Sequence, residues 1–271
     1  MKFERTVQTI SDTSNAVVGV AIKNLVTGDQ LVINGDEVFP QASCIKIHIL
    51  TEVYKQAREG KFSLTDTKSF PSSVAVGGSG ILNFLADGSV SMSLRDYCVL
   101  MMVLSDNSAT NLLIDLVGMK NVNATLLENG AVHTKLQRVM MDYEAAKAGR
   151  ENISTPNDGM HILEKLYKGE LVNKEASKDM LSIMKIEKDG WLKAGIDPSV
   201  PIANKAGDVE GVRCDVGIVF LDSSPYIICV MTKLLQHDDE GSKIISDISQ
   251  VTFNYFERKA HSNQFGRRIP K

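Results

Sequence analysis

The sequence has little of what metal-binding, membrane-spanning or nucleic-acid-binding proteins need. It contains four cysteines in 271 residues, without a Cys-x-x-Cys pair or a histidine cluster, so structural zinc is not expected. No apolar run approaches the length of a membrane span. The formal net charge of -3 at pH 7 gives no electrostatic reason to bind nucleic acid or an anionic membrane. We therefore expect no metal, no cofactor, no nucleic-acid partner and no membrane span.

The cysteines are Cys44, Cys98, Cys214 and Cys229. Lone cysteines of this kind usually pack as small hydrophobic residues, which is the interpretation we favour. A disulfide such as Cys98–Cys229 stays open at this stage.

The beginning of the chain also lacks a feature. Residues 1–6, Met-Lys-Phe-Glu-Arg-Thr, have no apolar core of the kind found in signal peptides. The expected location is therefore either the cytoplasm or, after removal of a leader, an exported site. With 43% hydrophobic and 23% charged residues, the composition is that of a globular enzyme with one large domain or two closely packed ones.

What the chain does contain is an ordered series of apolar patterns, with strands near both ends and helices between them. The patterns predict helices at 3–13, 44–58, 93–104, 107–117, 120–128, 157–168 and 240–259, and strands at 16–23, 30–34, 212–221 and 226–233. We expect an α/β (α+β) fold: an antiparallel sheet from both chain ends, flanked by terminal helices, and an all-helical lobe. Residues 1–40 and 190–271 are assigned to the sheet lobe and 41–189 to the helical lobe, with the active site in the cleft between them.

The most informative short motif is Ser43-Cys44-Ile45-Lys46. On a helix, residues three apart share a face, so Ser43 and Lys46 can point into one pocket. A lysine whose pKa is lowered by burial or by a nearby cation can take the serine proton and produce a nucleophile. Alone the motif is weak, because a capping serine followed by a solvated lysine has the same spacing.

Two further motifs follow in order, Ser105-Asp106-Asn107 and Lys205-Ala206-Gly207. Together the three resemble the Ser-x-x-Lys, Ser-Asp-Asn and Lys-Thr-Gly set of class A β-lactamases and penicillin-binding proteins. The resemblance extends over nearly the whole chain, in order and at similar spacing, and includes residues 39–43, 94–113, 134–138, 154–156 and 211–215. The chain is identified as a member of the class A-like serine hydrolase superfamily.

The resemblance implies a catalytic role for three of these residues. Ser43 is expected to attack an activated carbonyl and form an acyl-enzyme. Lys46 is expected to accept or orient the proton, and Ser105 to relay a proton to the leaving nitrogen. For Ser105 alone, helix capping is the simpler explanation.

The resemblance also implies a binding role for residues of the second and third motifs. Asn107 is expected to hold the substrate amide, and Lys205 and Gly207 to form the binding strand, where the Lys205 charge attracts a carboxylate and lowers the pKa of Lys46. The oxyanion hole is expected from the backbone N–H groups of Ser43 and Asp208. Taken singly, Asn107 is also explained as a helix cap and Lys205 as a solvated lysine.

Two departures from the family pattern affect turnover and recognition. The omega-loop glutamate of β-lactamases, part of Glu-x-x-Leu-Asn, is matched here by Met140, which cannot accept a proton. Asp142 and Glu144 are the nearby carboxylates that could replace it, unless they serve in loop ion pairs or as helix N-terminal charges. Ala206 replaces a threonine or serine that donates a hydroxyl to the substrate carboxylate.

The resulting hypothesis is a serine hydrolase of the class A β-lactamase type that opens β-lactam amides or related esters and amides, with slow or atypical deacylation. The expected partner is a small-molecule acyl substrate, and the expected state is a monomer. One alternative is a penicillin-binding, sensor-type or DD-peptidase-like protein that is acylated and turns over poorly. The other is a pseudoenzyme that uses the cleft for non-covalent binding.

Overall fold

The computed structural model describes residues 2–263 and 265–268. Met1, Gln264 and the end of the predicted sheet lobe, 269–271, lie outside the described residues. The helices are α1 Lys2–Asp12, α2 Lys46–Arg58, α3 Leu94–Val103, α4 Asn107–Val117, α5 Met119–Glu128, α6 Tyr143–Lys147, α7 Pro156–Lys168, α8 Lys174–Met184 and α9 Asp238–Ala260. The strands are β1 Val17–Asn24, β2 Gln30–Ile33, β3 Phe39–Pro40, β4 Thr67–Ser69, β5 Ser91–Ser93, β6 Ile153–Ser154, β7 Ile202–Val209, β8 Val212–Val219 and β9 Tyr226–Lys233.

Single-turn 3₁₀ helices complete the structure at Ala42–Ile45, Ser72–Val74 and Leu82–Phe84. Two compact units can be distinguished along the chain. The first comprises Met1–Cys44, Ser154–Glu164 and Asp189–Lys271, and the second Ile45–Ile153 and Lys165–Lys188.

The first unit contains a five-stranded antiparallel sheet with the strand order β2-β1-β9-β8-β7. Strand β1 pairs along its whole length with β9, from Val17 opposite Lys233 to Asn24 opposite Tyr226. The first and last strands of the chain are therefore hydrogen-bonded neighbours in the interior of the sheet. The predicted antiparallel sheet built from both chain ends is confirmed.

The terminal helices of the first unit pack on this sheet. Val7 of α1 and Ile245 of α9 are fully buried in one apolar cluster with Val20, Ile228 and Val230 of the sheet. Full burial of one such side chain contributes about 1.5–3 kcal/mol, which explains why amphipathic helices at the two chain ends dock here. The flanking terminal helices are thus confirmed as well.

The second unit is mostly helical and also contains the small antiparallel β4–β5 ladder. Helix α2 is its central element and packs against α3, α4, α5 and α8. Ten of its 13 residues are buried, which is typical of a core helix rather than a surface helix. Its buried carboxylate, Glu52, accepts hydrogen bonds from Thr125 Oγ1 at 2.5 Å and Gln56 Nε2 at 2.7 Å.

Some details differ from the sequence patterns. Helix α8 was not expected, although Asn173 caps it by accepting a hydrogen bond from the Ala176 amide at 2.7 Å. Helix α2 begins at Lys46 because the preceding residues form a 3₁₀ turn. The four cysteines are free thiols, all buried. Within residues 2–263 and 265–268, no helix combines the length and apolar character needed to cross a bilayer.

Candidate active site

Ser43 lies on the 3₁₀ turn Ala42–Ile45 that leads into α2. The residue before it, Ala42, has a φ of 43°, a left-handed conformation that is uncommon for alanine. Such backbone strain persists only where the surroundings hold it, and it clusters at functional sites. The neighbouring Cys44 thiol is 1% exposed and donates to the Lys205 carbonyl at 3.1 Å, so it packs inward as expected.

Strand β7 passes directly against the backbone of Ser43. A Cβ added to Gly207 would lie 2.7 Å from the Ser43 nitrogen and 2.9 Å from both the Cys44 nitrogen and the Gln41 oxygen. Any side chain at this position would force the strand away from the serine. The glycine of the third motif therefore sets how closely the strand approaches the Ser43 backbone, which the sequence pattern alone did not reveal. The side chain of the next residue, Asp208, is exposed.

Lys205 is a buried cation in the first unit, with 4% of its surface exposed. Its ammonium donates to the Ala206 carbonyl at 2.6 Å. Burial lowers the pKa of Lys205, and the negative charges of Asp215 and Asp208 oppose that shift. Lys205 is therefore held in strand β7 with a partly balanced charge, which is not the solvated surface lysine of the simpler interpretation.

Asp215 is a buried carboxylate that the sequence interpretation missed. It is fully buried and accepts hydrogen bonds from Trp191 N at 2.8 Å, Leu192 N at 3.0 Å and Asn204 Nδ2 at 2.8 Å. Burial raises the pKa of Asp215, and these hydrogen bonds oppose that increase only in part. The sequence feature that could have revealed it is a single acidic residue inside the mostly apolar strand β8. Its role is to tie the 191–192 segment to β7.

In the second unit, the structure brings together Lys46, Ser105 and Asn107. The Lys46 side chain is 0% exposed. Its Nζ donates to Ser105 O at 2.6 Å, Ser105 Oγ at 2.9 Å and Asn107 Oδ1 at 3.0 Å. These three residues come from two motifs that are about 60 positions apart. The buried amine, the hydroxyl and the amide thus form one connected polar cluster.

The second motif does contain a helix cap, but the capping residue is Asp106 and not Ser105 or Asn107. Asp106 is the N-cap of α4 and accepts from Ala109 N at 2.8 Å. Its second oxygen accepts from Ile81 N at 2.6 Å and Leu82 N at 3.0 Å. Because Asp106 does the capping, Ser105 and Asn107 are available for other roles. Ser105 itself has a φ of 52°, a second strained position at the site.

The loop between α5 and α7 holds Met140. Asn111 of α4 pairs with its backbone in both directions: Met140 N donates to Asn111 Oδ1 at 2.8 Å, and Asn111 Nδ2 donates to Met140 O at 3.1 Å. The loop is closed by the isolated bridge Lys135–Ile153. The backbone of Met140, the residue that the sequence comparison predicted to match the family's glutamate, is therefore bonded to the helix that begins at Asn107, and its side chain is buried.

The two candidate carboxylates of this loop have local partners. Asp142 caps α6 by accepting from Ala145 N at 2.9 Å. The Glu144 side chain is 84% exposed and pairs with Lys147 at 3.0 Å. These are the capping and ion-pair arrangements that sequence offered as the simpler explanation. In the part of the chain that the structure describes, no group of three or more His, Cys, Asp or Glu side chains could hold a metal ion.

A family model described as the β-lactamase enzyme family matches residues 2–256. The chain belongs to the β-lactamase enzyme family. Its predicted membership of the class A-like superfamily is confirmed, as is the description of a β-lactamase-like hydrolase.

Curated β-lactamases and solved structures are similar to this chain over most of its length. Beta-lactamase VEB-1 of Pseudomonas aeruginosa is 24% identical over 93% of this chain and 90% of its own. The structure of PBP-A has a TM-score of 0.87 at 27% identity and covers 95% of this chain and 96% of its own. An ancestral class A β-lactamase has a TM-score of 0.86 at 22% identity, covering 94% and 100%, which shows the shared fold.

One further structure is a variant of PBP-A in which leucine is replaced by glutamate, in an acyl-enzyme complex with penicillin G. It has a TM-score of 0.86 at 28% identity and covers 94% of this chain and 96% of its own. The individual residue roles in this β-lactamase family member stay predictions.

Proposed function

We propose that this chain is a serine hydrolase of the class A type that forms an acyl-enzyme on Ser43 and releases the acyl group slowly. The observation that carries the proposal is the buried cluster in which Lys46 Nζ contacts both Ser105 and Asn107. A lysine, a hydroxyl and an amide at hydrogen-bond distance are the parts needed to move protons and hold a substrate amide.

In the proposed acylation, Ser43 Oγ attacks the carbonyl carbon while its proton passes to the amine of Lys46. The tetrahedral oxyanion is stabilised by the backbone N–H groups of Ser43 and Asp208, and each such donor contributes about 3–4 kcal/mol. The absence of a side chain at Gly207 supports this arrangement, because it allows strand β7 to lie against the Ser43 backbone. Ser105 Oγ then gives its hydroxyl proton to the leaving nitrogen as the C–N bond breaks, and it takes a proton from the Lys46 ammonium, which returns to the neutral amine.

The proposed substrate is an acyl compound that is recognised through its amide by Asn107 and weakly through a carboxylate by Lys205. Ala206 lacks the hydroxyl that the family's pattern places there, and a hydrogen bond to a charged group is worth about 1.5–3 kcal/mol. The negative charges of Asp208 and Asp215 also reduce the attraction of Lys205 for an anion. We therefore propose weaker recognition of penicillin-like carboxylates, and an ester, amide or peptide as natural substrate.

Slow release is proposed because Met140 has no basic atom at the position of the family's glutamate. The nearby Asp142 and Glu144 are engaged in a helix cap and an ion pair. If either carboxylate nevertheless activates water, its replacement by the corresponding amide will prolong the acyl-enzyme. The PBP-A variant acylated by penicillin G supports β-lactams as acylating agents for related proteins. The second candidate, a penicillin-binding or sensor-type protein, differs in having a lasting adduct.

The test is incubation with a fluorescent penicillin and with unlabelled penicillin G, followed by intact-mass measurement over time. We expect one adduct per chain, located on Ser43 by peptide mapping and lost slowly. Ser43→Ala abolishes the adduct, whereas Ser199→Ala, at an exposed serine, leaves it unchanged. A lasting adduct supports the sensor or peptidase alternative. Absence of an adduct with β-lactams and activated esters contradicts the nucleophile and leaves the pseudoenzyme.

A further inference from the structure

The more exposed face of strand β7 carries Ala206 followed by Asp208. Side chains alternate between the two faces of a strand, so Lys205 and Gly207 belong to the other face. Lys205 and Gly207 are buried, whereas Ala206 is partly exposed and Asp208 is exposed. The face that lies away from the Ser43 backbone therefore presents a methyl group and then a carboxylate.

The Asp208 carboxylate is not neutralised by the arginine next to it. Arg213 lies directly opposite Asp208 in the β7–β8 ladder. Its guanidinium instead pairs with Asp238 at 2.8 Å and donates to the carbonyls of Val209 at 3.0 Å and Val212 at 2.8 Å. Within residues 2–263 and 265–268, no ion pair joins Asp208 to a cation. Its charge is therefore available to a ligand.

The exposed charges along β7 and the turn that follows it are negative. They belong to Asp208 and to Glu210, which is exposed at the turn. The cation of this strand, Lys205, is buried, and both Asp208 and Asp215 are close enough to act on its charge. A ligand that approaches this end of the strand therefore meets negative charge first, which attracts cations and repels anions.

We propose that Asp208 makes this chain select acyl substrates that carry a positive charge on the leaving-group side of the bond that breaks. The inference rests on the proposed function, in which the Asp208 N–H binds the oxyanion. The family's pattern places a hydroxyl at position 206 for the substrate carboxylate, and in a penicillin this carboxylate is on the ring that contains the leaving nitrogen. Here the same face offers the Ala206 methyl group and, two residues on, a carboxylate, so the charge preference is reversed.

The test uses three esters that transfer the same acyl group: phenyl acetate, 3-carboxyphenyl acetate and 3-(trimethylammonio)phenyl acetate. In each reaction Ser43 Oγ bonds to the acetyl carbon, the ester C–O bond to the aryl group breaks, and the phenol leaves with the proton that Ser43 gave up. The acetyl-enzyme is identical in all three, so only its formation depends on the charge. Its rate is followed by phenol release and intact mass, with Ser43→Ala as background, and is divided by the rate of spontaneous hydrolysis.

The wild-type protein is expected to react faster with the cationic ester than with the anionic one. Asp208→Asn should lower the ratio of these two rates about fivefold, the size expected for one exposed charge, and Asp208→Glu should keep it. In about 1 M salt, where the screening length is about 3 Å, the wild-type ratio should fall toward that of Asp208→Asn. The matched control is Asp222→Asn, at an exposed aspartate between β8 and β9, which should leave the ratio unchanged.

An unchanged ratio in Asp208→Asn contradicts the inference, including the case in which all three rates fall by the same factor. An equal change in Asp222→Asn also contradicts it, because the net charge of the protein would then be the cause. If neither the esters nor β-lactams form an adduct on wild-type Ser43, the proposed function is wrong and this inference falls with it. Normal acetylation of Ser43 without a charge preference contradicts the role of Asp208 alone.

Discussion

The backbone of Met140 is held by hydrogen bonds that leave its side chain free to vary. The Asn111 amide bonds both the N–H and the C=O of Met140, and these bonds do not depend on the side chain. A different side chain at position 140 is therefore expected to extend from the same backbone position. The difference between a thioether and a carboxylate at this position is purely chemical, because only the carboxylate can accept a proton from water.

Met140→Glu is predicted to shorten the lifetime of the Ser43 acyl-enzyme. A positioned general base typically contributes about 10²–10⁴-fold, so we expect acceleration of release toward the lower end of that range. The measurement is the decay of the penicillin G adduct by intact mass after excess compound is removed. Met140→Gln is the matched control, since it has a similar shape and no basic carboxylate. Equal acceleration in the Gln variant would show that loop disturbance, and not a base, releases the acyl group.

At the scale of elements, the segment from α5 to α7 is fixed by side-chain amides. Asn111 holds Met140, and Asn152 accepts from both Gln137 N at 2.8 Å and Arg138 N at 3.1 Å. The Arg138 guanidinium pairs with Glu151 at 2.7 Å. A loop with little regular structure is thereby given defined partners for its backbone groups, which buried loops require.

Asn111→Ala is predicted to loosen this loop specifically. Removing the amide leaves Met140 N–H and C=O without that partner, at a cost of about 1–3 kcal/mol for each group that stays buried. Hydrogen exchange measured by mass spectrometry should become faster in peptides covering 138–145. Asn123→Ala is the matched control, because Asn123 pairs with the backbone of Leu136 in the same two-way manner. If both variants change exchange over the same residues, the anchoring is not local.

At the scale of the whole molecule, the buried polar groups of α2 link stability to pH. His48 is 6% exposed, and burial lowers its pKa to about 4. The ordinary histidine pKa is about 6.5, so between these values the unfolded chain binds a proton that the folded chain does not. Stability is therefore complete above about pH 6.5 and is lost as the pH falls toward 4.

His48→Gln is predicted to flatten this dependence. The wild-type free energy of unfolding should fall by up to roughly 3 kcal/mol more than that of the variant between pH 7 and pH 4. Urea unfolding at several pH values measures the difference in slope, whatever the variant's absolute stability. His237→Gln, at an exposed histidine, is the control and should follow the wild type. Identical slopes for His48→Gln and wild type would contradict a buried neutral His48.

Much of the fold was predictable because its signals are local. The alternating and helical apolar patterns placed β1, β8, β9 and α9 close to their observed bounds. The helix predicted at 93–104 is observed as α3, and the Ser93 side chain caps it by accepting a hydrogen bond from Asp96 N. Helix α8 was missed although its cap residue was visible, since its short amphipathic pattern was not recognised.

The sequence by itself determined the family, the sheet built from both chain ends and the residue types of the candidate site, because motifs and periodicity depend on chemical character and spacing. Only the tertiary structure decided that Lys46 contacts Ser105 and Asn107 and that Gly207 lies against the Ser43 backbone. Each of these contacts joins residues that are 59 or more positions apart in the chain. Their distances follow from how helices and strands pack, which no local pattern encodes.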